Sequence, residues 1–372
     1  MQTSKTLVYV TKIIFPSKQA HAVQITRTVT ALAKEIPVIL VVRKLNGTLD
    51  EVKRAIAIDY GCECPANLTI VAYHKLGFTL LGFPLLLKRI QALVNTRDFV
   101  YYTRSYDLAR HLLRYRGLHK KRVFFESHKM DGMHKEDPVP NSPYAHLRSA
   151  KEQSNQDLSL IKYVYEGVDV LFFIHPHSEA KAKAICNLQK TQSLWRALKQ
   201  VNFPPFAERT DRFVYCGNIS ETRLFDLLID AIEGLGDGCR VDVYGGNRED
   251  IEARKKQLAE RDMLANFDFK GHVANSALQG YFKNYRFGIA LLEGIKIVDY
   301  VENGLIPIVP RVPSYQDIFT DSTAVFFEPD SAAGLREVLA SCQTRELDNA
   351  VMTELAKEYS LPAFAGKIIQ HL

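Results

Sequence analysis

Apolar residues along this chain gather in short runs, and the stretches between the runs carry apolar residues at helical spacing. Thr6–Lys12 (TLVYVTK) is apolar and β-branched, as a strand covered on both faces of a parallel sheet reads. Val23, Ile25, Val29 and Leu32 then predict a helix over Ala22–Lys34, and Pro37–Arg43 (PVILVVR) a second strand. Leu68–Ala72, Phe99–Tyr102, Val123–Glu126 and Asp169–Ile174 read as further strands, the last preceded by a helix over Ser149–Val164. After Lys199–Arg212, which reads as a linker around Pro204-Pro205, the alternation resumes. Strands are expected at Phe213–Cys216, Arg240–Tyr244, Phe267–Lys270, Gly288–Leu292 and Ile306–Val309. Helices are expected at Arg223–Gly234, Glu249–Glu260, Ser276–Phe282 and Ile295–Asn303. Strand-then-helix alternation in both halves predicts an α/β protein with two Rossmann-like, doubly wound domains facing across a cleft.

Length agrees, since 372 residues exceed what one ordinary core holds. The content of 47% hydrophobic and 24% charged residues excludes a disordered chain. No apolar run approaches the roughly 18 residues of a spanning helix. Met1–Thr11 has no basic-then-apolar leader, and six cysteines with one close pair, Cys62 and Cys64, fit reduced thiols; a cytoplasmic protein is expected.

Charge divides the chain. Residues 1–200 carry 30 Lys/Arg against 16 Asp/Glu, and residues 201–372 carry 18 against 26. A basic half joined to an acidic half suggests different partners for each. Arg110, Arg114, Arg116, Lys120, Lys121 and Arg122 form the densest basic segment, and the run 76–89 is apolar and ends in Lys88-Arg89. Such a pairing suits an anionic membrane surface, giving a peripheral protein; a buried run with solvated charges is the alternative. No nucleic-acid motif accompanies the charge.

Candidate chemistry concentrates in Gly288–Val309. Lys296 and Asp299 stand three apart, on one face of the expected helix, which stops at Gly304, a plausible glycine just past its end. A cation in the first turn is poorly placed against the helix dipole unless an anion joins it. Asp299 is an acceptor suited to a ribose diol; a surface ion pair is the alternative. His175 and His177 lack a third ligand, and Gly245-Gly246 lacks the later glycine of a dinucleotide fingerprint, so neither a metal nor a dinucleotide cofactor is expected.

Lys296-x-x-Asp299-Tyr300-x-x-x-Gly304, followed by Pro307, resembles the K-x-x-E-Y-x-x-x-G-x-P signature of nucleotide-sugar glycosyltransferases with two Rossmann domains (GT-B), in particular the retaining family 4. Tyr215–Ala231 is similar to its vGRl…KG segment, Val243–Gly246 to ivGgG, and Phe269–Val273 with Leu278 and Tyr281 to f-x-G-x-v…l-x-x-y. Pro16–Gln24 resembles its aH-x-x-q segment, and Tyr101–Ser105 with Phe125–His128 its R-s…E-x-H strand ends. Glu358–Ala365 resembles the terminal helix that crosses back to the first domain.

The resemblance implies an acceptor domain over 1–200, a nucleotide-sugar domain over 201–356 and a crossing helix over 357–372. It implies a metal-independent hexosyltransferase without cofactor, moving sugar from a UDP- or GDP-sugar to a glycan or lipid-linked acceptor in cell-surface polysaccharide or glycolipid synthesis. Gly217, Asn218, Arg223, Gly245, Gly294, Lys296 and Asp299 would bind the donor; His21, Arg104 and Glu126 the acceptor; His128, Arg223 and Glu293 would act at the reacting bond. Two positions depart from the pattern: Asn218 stands where the family has a cation, and Leu291 where it has the first acid of its Glu pair. A catalytically weakened glycan- or partner-binding member and a nucleotide-sugar epimerase are the alternatives.

Overall fold

The computed structural model describes residues 5–17, 20–73, 79, 82–94, 98–128, 144, 158–195, 198, 205–220, 224–292, 296–345 and 349–372. They form two compact units: residues within Met1–His134, Asn155–Ala197 and Leu361–Leu372 make the first, and residues within Lys135–Ser154 and Leu198–Ser360 the second.

The first unit is built on seven parallel strands: β1 (Thr6–Val10), β2 (Val38–Val42), β3 (Leu68–Ala72), β4 (Phe99–Thr103), β5 (Val123–Ser127), β6 (Val170–Phe173) and β7 (Thr191–Ser193). Their order is β3-β2-β1-β4-β5-β6-β7, which reverses direction at β1 as doubly wound sheets do. Every residue of β1, β2, β4, β5 and β6 is buried, which is why these strands read as unbroken apolar runs. Side chains alternate between faces, so Leu7 and Tyr9 enter one core layer and Val8 and Val10 the other. Helix α1 (Ala20–Glu35) covers the first layer through Ile25, Val29 and Leu32. Helices α2 (Leu49–Ile58), α3 (Phe83–Leu93), α4 (Tyr106–Arg114), α5 (Leu158–Gly167) and α6 (Pro176–Lys183) complete the unit's main helices. A capping box starts α2: Thr48 Oγ1 accepts from the Glu51 amide, and the Glu51 carboxylate accepts from the Thr48 amide.

The second unit repeats the scheme with β8 (Thr210–Cys216), β9 (Val241–Tyr244), β10 (Phe267–Gly271), β11 (Tyr285–Ile289), β12 (Ile306–Pro310) and β13 (Val325–Phe327), all parallel, in the order β10-β9-β8-β11-β12-β13. Its helices include α7 (Phe225–Ile232), α8 (Arg248–Ala259), α9 (Asn275–Phe282), α10 (Lys296–Glu302), α11 (Ala332–Ser341) and α12 (Asn349–Glu358). Tyr144 joins this core, and its hydroxyl donates to Asp230 of α7. The last helix, α13 (Leu361–Ile369), sets Phe364, Ala365 and Ile368 into the α1 layer of the first unit.

Four expected elements are corrected. The linker ends before Thr210, because Thr210–Arg212 already belong to β8. The strand expected at Gly288–Leu292 runs from Tyr285 to Ile289; Ala290 and Leu291 are buried beyond its end, and burial made them read as strand. The helix before β6 ends at Gly167 instead of Val164; the start expected for it lies outside the described residues. The terminal helix is two helices broken at Tyr359-Ser360, where Ser360 bridges to Leu198. Among the described residues no helix is long and apolar enough to cross a membrane.

Candidate functional site

In the second unit the candidate residues gather at the carboxyl ends of β8, β9 and β11, where ligands bind in sheets of this topology. Chain direction there depends on close backbone approach. The Gly217 amide donates to Tyr244 O at 2.9 Å and the Gly245 amide to Gly271 O at 2.8 Å. Gly245 has φ +120°, and a Cβ on it would stand 2.1 Å from Gly217 O, so no other residue fits. Asn218 turns its side chain to its own loop: Oδ1 accepts from the Ser220 amide at 2.8 Å, while its carbonyl accepts from the Tyr215 hydroxyl at 2.8 Å. Arg254 of α8 pins the same loop, donating from Nε to Ile219 O at 3.0 Å and through both terminal nitrogens to Asp226.

Helix α10 is buried, not a surface helix. Tyr300 bolts it down: its hydroxyl donates to Ile289 O at 3.1 Å and accepts from the Cys216 amide at 2.8 Å. One ring thus joins the helix to the ends of β8 and β11. Gly288 makes room, since a Cβ there would lie 2.6 Å from the Tyr300 ring. Lys296 Nζ donates to Asp299 Oδ2 at 3.0 Å, so the ion pair forms, but it is not the surface pair weighed above: Asp299 is 2% exposed. Gln279 of α9 reaches Asp299 Oδ1 at 3.4 Å, and Asn303 Nδ2 links Gln279 Oε1 (2.7 Å) to Asp299 O (2.6 Å). Burial pushes the Cys216 thiol up to about 11; Lys296 lowers it and Asp299 raises it, which places all three within charge range. The helix ends at Gly304, with φ +69°. Arg223, Glu293 and Gly294 lie outside the described residues.

In the first unit a second group forms at the carboxyl ends of β1, β4 and β5. Glu126, 3% exposed, accepts from the Tyr102 hydroxyl at Oε2 (2.5 Å) and is bonded through Oε1 to His128 Nε2. Burial alone would raise the carboxyl; His128, the Arg104 charge and the Tyr102 hydroxyl outweigh it and bring it down to about 2. Tyr9 packs its ring 5.1 Å from that of Tyr102, with its hydroxyl buried. Arg104 Nη1 donates to Gln24 Oε1 of α1 at 2.8 Å. His21, three residues before Gln24, has its imidazole shifted down by burial and by Arg104. The structure thus brings Arg104, Glu126 and His128 together and places His21 within reach of Arg104's charge. Tyr9, Tyr102, Gln279 and Asn303 escaped the sequence reading: the tyrosines read as strand apolars, and the amides belong to no motif. Among the described residues no three His, Cys, Asp or Glu side chains are grouped to hold a metal ion. His175 and His177 stand as neighbours with ring centroids 5.6 Å apart.

No protein-family model matches the chain, and no curated protein sequence does. Solved structures do match along its whole length. A sucrose-phosphate synthase from Thermosynechococcus elongatus is 14% identical, with a TM-score of 0.71 and 98% of each chain covered. The lipopolysaccharide outer core galactosyltransferase WaaB is 11% identical, with a TM-score of 0.67 and 98% of each chain covered. HepE from Anabaena, solved with UDP-glucose, is 10% identical, with a TM-score of 0.66 and 98% of each chain covered. With its two parallel sheets in this strand order, the chain has the GT-B fold of glycosyltransferases.

Proposed function

We propose that the protein is a retaining glycosyltransferase that moves a hexosyl group from a nucleoside-diphosphate sugar to a glycan or lipid-linked acceptor in cell-surface polysaccharide or glycolipid synthesis. The observation that carries this is the Lys296–Asp299 pair on a buried helix that Tyr300 ties to the loop at Gly217. A half-buried cation and a buried carboxylate beside a backbone turn fit a nucleotide's diphosphate and ribose. HepE, with the same fold, was solved with UDP-glucose, which supports a uridine donor; a GDP-sugar is the other candidate.

Breaking the anomeric bond puts negative charge on the departing diphosphate and makes the sugar oxocarbenium-like. Fixed positive charge and N–H donors at the phosphates are then the main catalytic need. Arg223 and Lys296 are assigned that task, with Gly217, Gly245 and Asn218 shaping the phosphate loop. Asp299 takes the ribose hydroxyls by exchanging its bond to Gln279. Glu293 and Gly294 meet the sugar. His128 stands at the reacting bond, with His21 and Arg104 on the acceptor side and Glu126 beside His128. The reaction is assigned no metal and no cofactor. A peripheral place on the cytoplasmic membrane face is supported by Leu85 and Leu118, which are 66% and 64% exposed in the basic half, near Lys88, Arg89 and Lys120–Arg122. In the apolar run itself Phe83, Leu86 and Leu87 are buried, and residues 76–78 and 80–81 lie outside the described residues.

The test is a panel of UDP-, GDP- and ADP-sugars assayed for hydrolysis, epimerisation and transfer. Turnover that requires an acceptor, with the anomeric configuration kept in the product, is expected. A free epimer identifies an epimerase. Binding without turnover identifies a weakened member, the reading that Asn218 and Leu291 favour.

A further inference from the structure

The carboxylate of Glu126 is better placed to act on His128 than on a ligand. Both of its oxygens are engaged, one by the Tyr102 hydroxyl and one by His128 Nε2, and the side chain is buried. Glu126 lies on β5 and His128 just past its last residue, two positions on, where the bond between them brings ring and carboxylate together. The strand therefore presents the ring at its end and the carboxylate beneath it. We propose that Glu126 is a positioning residue: it commits Nε2 of His128 to a buried carboxylate, fixing the ring's orientation and favouring its protonated, hydrogen-bond-donating form, and it does not itself touch the acceptor. The proposal rests on the transferase reading only for its kinetic consequence.

The charges that face this pair are known. Arg104 ends the neighbouring strand and lowers the carboxyl through its charge. Tyr102 lies on β4 and Tyr9 on β1, and the phenols of both are driven well above their usual range by burial, so they stay protonated. His21 on α1 is shifted down by burial and by Arg104, which favours its neutral form. An ionised Glu126 is thus the anion of the group, and by reciprocity the imidazolium that stabilises it is stabilised in return.

Two variants move the pair in opposite directions. Glu126→Gln keeps the shape and an acceptor for Nε2–H but removes the charge. Tyr102→Phe removes a donor that shares the carboxylate, leaving more of its charge to His128. Ring titration of His128 by nitrogen-edited NMR on the full chain, with the signal identified by its loss in His128→Gln, is expected to move to lower pH in E126Q and to higher pH in Y102F. In transfer assays, E126Q should lower kcat about tenfold near pH 7.5, and E126Q/H128Q should be no slower than H128Q alone within about twofold. An unmoved titration, shifts in the same direction for both variants, or rate losses that multiply in the double variant would overturn the proposal. If titrations shift as expected while no nucleotide sugar turns over, the positioning role holds and the transferase reading fails.

Discussion

In the second unit the candidate donor residues from Lys296 to Gly304 lie on one seven-residue helix and its end, anchored by one tyrosine. In the first unit Tyr9, Tyr102, Arg104, Glu126 and His128 come from three strands and their ends, with Gln24 reaching them from a helix. One site is written as a local spacing and the other as a sheet topology. The first kind is visible in a sequence and fails when its anchor is lost. The second becomes visible only when parallel strands are aligned, and it fails when one member of a buried polar network loses its partner.

The largest effect expected falls on the donor side, at a residue assigned to the diphosphate along with Lys296. Arg223→Ala should reduce transfer at least about 100-fold if its guanidinium stabilises the departing diphosphate, measured as kcat/KM for the donor; unchanged kinetics remove it from the site. Gly288→Ala drives a Cβ into the Tyr300 ring and should destabilise the protein by about 1–3 kcal/mol in urea unfolding. Tyr300→Phe should cost about 1–3 kcal/mol by leaving the Cys216 amide without its acceptor and Ile289 O without its donor, and should raise the donor KM. An unchanged donor KM in Y300F would separate the anchor from the site.

The distributed site should answer to acid. Glu126 is held down to about 2 when folded, against an ordinary value of 4.5. It therefore contributes stability that is complete above about pH 4.5 and lost as pH falls towards 2. Unfolding of the wild type and of E126Q, followed across that window, should show a steeper loss in the wild type; parallel curves would mean that the carboxylate gains nothing from folding. The smallest effect is a control that belongs to neither group: Thr48→Ala breaks the capping box of α2 and should cost about 1 kcal/mol without touching kinetics.

The comparison also explains what the sequence could carry. Strands buried on both faces, such as Val38–Val42, announce themselves as apolar runs. Thr191–Ser193, a polar edge strand, offers no such signal and is held by pairing with Leu171–Phe173. Thr48 and Glu51 spell a helix start that periodicity alone passes over. The spacing from Lys296 to Gly304 was legible because a helix turns it into one face. Gln279 was not, because it meets Asp299 and Asn303 only when α9 and α10 lie side by side. Glu126 was legible as a candidate, but its bond to Tyr102 exists only because β4 and β5 pair.

The central claim is that a nucleoside diphosphate docks where α10 begins, beside the turn after β8. A crystal structure of the protein with UDP tests it most directly. The account predicts the diphosphate within hydrogen-bonding distance of Lys296 and the backbone at Gly217, with the ribose against Asp299. A diphosphate bound elsewhere on the second unit, or a nucleotide that leaves Lys296 paired to Asp299 and touches neither, would contradict it.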